Sequence, residues 1–227
     1  MPGNHNEAAE IASALSDPLR LAVLHRLIEG PATVSDIVEA TGESQPKVSN
    51  HLSVLRERNL VTARRSGRQI VYRLRNPSVA QVVESLLALT GPAKGRPAAE
   101  TPMALARTCY DHLAGKLGVA LLDALVARGA LKATPGENGD LELTADAARV
   151  FADLGVETEP PVRSRRRRAF ACLDWTERRP HLGGALGAAL LKRVVDGGWI
   201  VRDATSRAVH VTPEGERALK RHLGVEA

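Results

Sequence analysis

The chain has 227 residues, 44% of them hydrophobic but only 3% aromatic, and a formal net charge of +5. That is enough apolar material for one large or two small domains, with cores of Leu, Val and Ala that suit helices better than a large β-sandwich. No apolar run approaches the roughly 20 residues of a membrane span, Met1–Asn6 is no secretory signal, and two cysteines make no disulfide framework. A cytoplasmic protein with no membrane partner is expected, and the positive charge admits a polyanion as partner.

From Glu7, Ala8, Ile11, Ala12 and Leu15 recur at helical spacing. Ser16-Asp17-Pro18 restarts the chain: Ser16 or Asp17 can cap a second helix, and Pro18 fits its first turn. Leu19, Val23, Leu24, Leu27 and Ile28 form the buried stripe of that helix, which Gly30-Pro31 ends. Thr33 and Asp36 stand at capping-box spacing and open a short helix with Val34, Ile37 and Val38 inward. Thr41-Gly42 makes a turn; Ser44 caps the next helix, with Pro46 in its first turn and Val48, Leu52 and Leu55 toward the core. Gln45, Lys47, Ser49, Asn50 and His51 are left on the outer face, with Ser44 at the helix N-terminus near phosphate. Two short helices joined by a tight turn, the second offering hydrogen-bonding groups outward, predict a helix-turn-helix that reads base edges in the major groove of double-stranded DNA.

Leu60–Ala63 and Gln69–Leu74 are β-prone, and Arg64-Arg65-Ser66-Gly67-Arg68 lies between them. The expected hairpin carries Arg64, Arg65 and Arg68 at its tip, where a wing meets backbone phosphate. Asn76-Pro77 opens a last helix with Val79, Val82, Val83, Leu86 and Leu87 near one face.

This order of elements resembles the ArsR/SmtB family of bacterial winged-helix repressors over residues 7 to 90. The likeness rests on Leu15-Ser16-Asp17-Pro18-Leu19-Arg20, on Ser44-Gln45-Pro46-Lys47-Val48-Ser49-Asn50-His51-Leu52 and on Arg64-Arg65-Ser66-Gly67-Arg68-Gln69-Ile70-Val71-Tyr72. The resemblance implies a homodimer, paired through the first and last helices of the module, that represses a promoter until an effector binds. Metal-sensing members carry a Cys-containing motif in the third helix; here that stretch is Val34-Ser35-Asp36-Ile37-Val38-Glu39. Others use Asp and His pairs on the last helix, where this chain has Glu84 and no His. Any sensor must lie elsewhere.

Thr90–Pro102 is rich in Gly and Pro and reads as a linker. We therefore expect a winged helix-turn-helix domain over 1–90, a linker over 91–103 and a second domain over 104–227. The second domain repeats itself, at about 109–156 and 172–225. His112-Leu113-Ala114-Gly115-Lys116-Leu117-Gly118 matches His181-Leu182-Gly183-Gly184-Ala185-Leu186-Gly187, and each copy continues through a helix, a hairpin and a Thr-containing helix start to a final Leu-Gly-Val. The fold class is mainly α with small β-hairpins, the second domain being two winged-helix-like units with a pseudo-twofold. Gly115, Gly118, Gly184 and Gly187 read as points where helices approach closely.

A Cys-x-Asp stands at the start of each unit, Cys109-Tyr110-Asp111 and Cys172-Leu173-Asp174, with His112 or His181 following it. Two Cys and two His are the ligand types zinc takes, but their spacing is not that of a zinc finger and the repeat explains the doubling, so no metal site is assigned. Cys109, Asp111, His112, Cys172, Asp174, Trp175 and His181 are the candidates for sensing an effector, converging if the repeat pairs about its axis. Thiolates would favour a soft metal or an oxidant; Trp175 beside Arg178-Arg179 would favour an organic anion. No cofactor is assigned. The basic run Arg163–Arg168 suits a solvated loop, a further phosphate contact or an acidic effector. The expected function is a repressor on a palindromic operator, released by that effector, and not an enzyme. The competing readings are an enzyme with a winged-helix appendage and an effector-independent architectural DNA binder; no Gly-rich phosphate loop, Gly-x-Ser-x-Gly elbow or His-Glu-x-x-His helix favours the former.

Overall fold

The computed structural model describes residues 4–90, 101–132, 134, 139–159, 166–204 and 206–226. Most of the expected linker (91–100) and Arg163–Arg165 of the basic run fall outside the described residues. The chain divides into two compact units, Met1–Leu87 and Ala88–Ala227.

The first unit runs α1 (His5–Leu15), α2 (Pro18–Glu29), β1 (Ala32–Thr33), α3 (Val34–Thr41), α4 (Gln45–Glu57), β2 (Val61–Ser66), β3 (Gln69–Leu74) and α5 (Pro77–Leu89). Local chemistry sets the boundaries. Asp17 accepts the Arg20 N–H at 2.9 Å and so caps α2, with Pro18 in the first turn. Thr33 and Asp36 form a capping box despite the shorter carboxylate: the Thr33 N–H reaches Asp36 Oδ2 at 2.7 Å, and the Asp36 N–H reaches Thr33 Oγ1 at 3.3 Å. Val23, Leu24, Ile28, Ile37, Val48, Leu52 and Leu55 close the core between α2, α3 and α4. Each such Leu or Ile contributes about 1.5–3 kcal/mol by leaving water. A two-residue strand that the sequence does not signal, β1, pairs antiparallel with β3 and makes the sheet order β1-β3-β2.

The second unit runs α6 (Pro102–Leu105), β4 (Arg107–Cys109), β5 (His112–Ala114), α7 (Gly115–Ala127), α8 (Ala147–Asp153), β6 (Phe170–Leu173), β7 (Pro180–Gly183), α9 (Gly184–Asp196), β8 (Ile200–Arg202), β9 (Val209–Val211) and α10 (Pro213–Leu223). Each repeat starts with a hairpin that the sequence reading missed, β4-β5 and β6-β7, ahead of the expected helix. The later hairpin is β8-β9 in the second repeat, and a bridge of Leu131 with Leu143 in the first. Closing helices α8 and α10 follow.

The two repeats exchange their parts. Arg107 of β4 bridges Ala208, and Thr108 donates to the Arg207 carbonyl at 2.9 Å; Asp140 bridges Phe170 of β6, and Leu141 donates to the Ala169 carbonyl at 3.1 Å. So each leading hairpin pairs with the later hairpin of the other repeat. The helices exchange too: α7 packs on β7 and α9 on β5. Gly118 and Gly187 make this fit. A Cβ on Gly187 would stand 2.3 Å from the Leu182 carbonyl oxygen and 3.0 Å from His112 Cβ; one on Gly118 would stand 2.6 Å from the Leu113 carbonyl oxygen and 3.4 Å from His181 Cβ. At Gly118 and Gly187 the close approach is therefore of helix to hairpin and to the other repeat's histidine, while at Gly115 it is of α7 to the backbone of α6. One continuous apolar core, with Leu121, Leu125, Phe151, Leu190, Val194 and Leu219 among its members, spans both repeats.

Candidate functional site

α4 turns its polar side chains away from the core: Ser44, Gln45, Lys47, Ser49 and Asn50 are exposed, while Val48, Leu52 and Leu55 are buried. Ser44 holds the N-cap position, but its hydroxyl makes no capping hydrogen bond. Lys47 pairs with Glu43 at 2.7 Å. His51 leaves the expected outer face: its side chain is only 16% exposed, and Nδ1 stands 3.5 Å from Asp17 Oδ1, at the start of α2.

The wing is longer than the sequence suggested. β2 and β3 stay paired to Ser66–Gln69, leaving Gly67-Arg68 as the turn. Arg64 and Arg65 therefore lie on β2 rather than at the tip, opposite Val71 and Ile70 and pointing to opposite faces of the ribbon. With Arg68 at the turn, all three are exposed, and β2 packs against α4.

In the second unit, strand register places Cys109 directly across from His112, and Cys172 directly across from His181. The exchange of parts sets β5 against β7, so that ligand atoms of Cys109, His112, Cys172 and His181 all lie within 4.8 Å of one another. The two imidazoles are 5.1 Å apart, centroid to centroid. All but half-buried Cys172 are buried. Behind each ring stands the Asp of its own Cys-x-Asp: Asp111 Oδ1 is 3.3 Å from His112 Nδ1, and Asp174 Oδ2 is 3.2 Å from His181 Nδ1, the latter off the line of a hydrogen bond. Nε2 of each histidine is buried without a hydrogen-bond partner.

The two aspartates differ in what else they hold. Asp174 is fully buried and accepts both Arg107 Nη2 contacts at 2.9 Å, the Gly115 N–H at 2.7 Å and the Thr176 hydroxyl at 2.7 Å. Burial alone would raise its pKa, but the His181 ring, the Arg107 charge and these donors outweigh burial and hold the carboxyl far below the ordinary range. Asp111 is more exposed; burial pushes it up, and Arg166, 2.5 Å away, with His112 brings it down overall. The Cys109 thiol is pushed up to about 11, first by its hydrogen bond with Cys172 and then by burial, against the pull of both histidines. Burial would lower the pKa of His181, yet Asp174 and Cys109 more than offset it and raise it.

Trp175 lies 4.9 Å under the Arg107 guanidinium, Arg179 pairs with Asp123 at 2.8 Å and Arg178 donates to the Thr90 carbonyl. A separate cavity of about 410 Å³ opens between α6, α7, β9 and α10, lined by Leu105, Leu117, Val209 and Glu216 among others, away from the Cys/His cluster.

Residues 17–63 match the family described as "Bacterial regulatory protein, arsR family". Over 223 residues the chain is 38% identical to the uncharacterized HTH-type transcriptional regulator YdfF of Bacillus subtilis, covering 96% of this chain and 97% of that one. This chain belongs to the ArsR family of bacterial regulatory proteins. It is also 41% identical over 81 residues to the biofilm growth-associated repressor of Xylella fastidiosa, covering 36% of this chain and 71% of that protein. The crystal structure of the transcriptional repressor BigR from the same organism is similar at 37% identity and a TM-score of 0.38, covering 39% of this chain and 91% of that one.

As an ArsR-family member the protein is a DNA-binding transcriptional regulator, and the YdfF alignment takes in both units. The family shows nothing about the chemistry of the second unit. There the spacing objection to a metal loses its force: Cys109-Tyr110-Asp111-His112 is a hairpin with a two-residue turn, which puts the first and last residues across from each other. Tyr110, at φ 59°, carries the left-handed conformation such a turn needs.

Proposed function

We propose that this ArsR-family regulator is a cytoplasmic repressor, without enzymatic activity, that binds a palindromic operator as a homodimer and is released by an effector sensed in its second unit. The observation that carries the reading is the exposed polar face of α4 beside an exposed, arginine-bearing ribbon in the same unit. On DNA, Gln45, Ser49 and Asn50 meet base edges, Lys47 and the uncapped Ser44 hydroxyl meet phosphate at the positive end of α4, and Arg64, Arg65 and Arg68 follow the backbone. Dimerisation falls to α1 and α5, where Val82, Leu86 and Leu89 form an exposed apolar stripe at helical spacing. The repeats of the second unit follow the winged-helix order of helix, hairpin and closing helix. We read them as a sensing domain built on that plan, with Cys109, Asp111, His112, Cys172, Asp174 and His181 at its centre and Trp175 as packing beside Arg107.

Sedimentation and footprinting on the protein's own promoter test this. The expected result is a dimer at micromolar concentration that protects two half-sites about one helical turn apart. A monomer that protects a single half-site would overturn the assembly, and equal affinity for promoter and random DNA would overturn the regulator's readout by α4.

A further inference from the structure

We infer that Cys109, His112, Cys172 and His181 form a four-ligand site for a divalent transition cation of the zinc class, held between the two repeats. Thiolate and imidazole in equal number are a donor set that suits zinc in tetrahedral geometry. Bond lengths of about 2.3 Å to sulfur and 2.0–2.1 Å to nitrogen put tetrahedral ligand atoms roughly 3.3–3.8 Å apart. The four atoms already lie within 4.8 Å of one another.

Three further features favour a cation over plain packing. His112 Nδ1 is within hydrogen-bond distance of Asp111, the usual outer-shell arrangement around a metal-bound histidine, which leaves Nε2 to coordinate; His181 Nδ1 stands 3.2 Å from Asp174 without the geometry of a hydrogen bond. Both Nε2 atoms are buried without a hydrogen-bond partner, a state a metal bond relieves. A disulfide between Cys109 and Cys172 would use the sulfurs and leave both imidazole nitrogens as they are. Charge balances as well: binding releases two S–H protons to solvent, and two thiolates neutralise the dication in a buried place. Half-buried Cys172 gives the ion its way in. Since each repeat supplies one Cys and one His, the ion joins the repeats across their exchanged hairpins. The site lies outside the winged helix-turn-helix unit altogether. Its regulatory consequence rests on the effector reading above, whereas ion binding itself does not.

The test is cobalt(II) titration of the full-length chain, reduced and stripped with a chelator. The expected result is one cobalt per chain, with the intense visible bands of tetrahedral coordination and a thiolate-to-cobalt charge-transfer band, all bleached by one equivalent of zinc. Cys109→Ser and Cys172→Ser should each weaken the charge-transfer band by about half and lower affinity at least about 100-fold. Asp111→Asn, at a partly exposed position that leaves folding intact, should lower affinity roughly 10-fold or more. An octahedral cobalt spectrum, uptake equal in wild type and both Ser variants, or reduced protein that takes up no cobalt and forms only a Cys109–Cys172 disulfide on oxidation, would overturn the site. Operator affinity on the same samples separates the two claims: tetrahedral cobalt with unmoved operator affinity would overturn the effector reading and leave the site standing.

Discussion

The two units place their polar chemistry on opposite sides of their cores. In the first, Gln45, Lys47, Ser49, Asn50 and the wing arginines stand in solvent, while the interior is Val, Leu and Ile. In the second, Arg107, His112, Asp174 and His181 are inside, almost wholly removed from water. A surface that meets a large polyanion needs no burial, since its ligand supplies the desolvation on docking. A site for something small must be enclosed by the chain itself, and each buried polar atom then needs a partner. The repeat solves this by exchange: each leading hairpin carries one Cys and one His into a space closed by the other repeat.

Removing a polar group should therefore have different consequences in the two units. Asp174→Ala leaves Arg107 buried without its carboxylate and unties Gly115 at the start of α7. A loss of about 3–5 kcal/mol in the stability of the second unit is expected. Calorimetry should show the transition of the second unit falling while that of the first stays in place. A variant melting like wild type would mean that the buried network is dispensable.

On the exposed side, substitution should cost recognition and not folding. Gln45→Ala with Asn50→Ala should leave the melting temperature unchanged and reduce discrimination between operator and random duplex. The loss is about 1–3 kcal/mol for each bidentate base pairing removed. Competition binding measures it, and preserved discrimination would place readout on some other surface. The smallest effect on specificity belongs to the wing. Replacing Arg64, Arg65 and Arg68 with Ala should weaken binding to all sequences alike and flatten the slope of log affinity against log salt by roughly 0.9 for each phosphate no longer neutralised. An unchanged slope would lift the wing off the backbone.

How far the sequence could be read follows the same division. In the first unit, local rules decided: Asp17 before Pro18, Thr33 three residues before Asp36, and the Val48-Leu52-Leu55 stripe each set an element by interactions within a turn or two. His51 escaped those rules because its partner, Asp17, comes from a distant stretch of chain. Arg64 and Arg65 were placed in a loop because charged residues at the end of a ribbon carry no apolar alternation to mark them as strand. In the second unit the repeat was legible and suggested that the two Cys/His clusters meet. The exchange was not, since three-residue strands such as Arg107–Cys109 have too little pattern to announce themselves, and their pairing with Ala208 is wholly non-local. Asp111 and Asp174 look alike in sequence, yet one is a partly exposed partner of Arg166 and the other the centre of a buried network.

If the inward site of the second unit governs the outward site of the first, the ion must change how tightly the protein holds its operator. Operator affinity of the full-length protein, measured with and without zinc for wild type and for Cys109→Ser, reads that coupling directly. Zinc should weaken wild-type operator binding by about 5- to 150-fold, the range of an ordinary coupling free energy, and leave Cys109→Ser unmoved. Equal responses of the two proteins, or no response in wild type, would contradict the coupling.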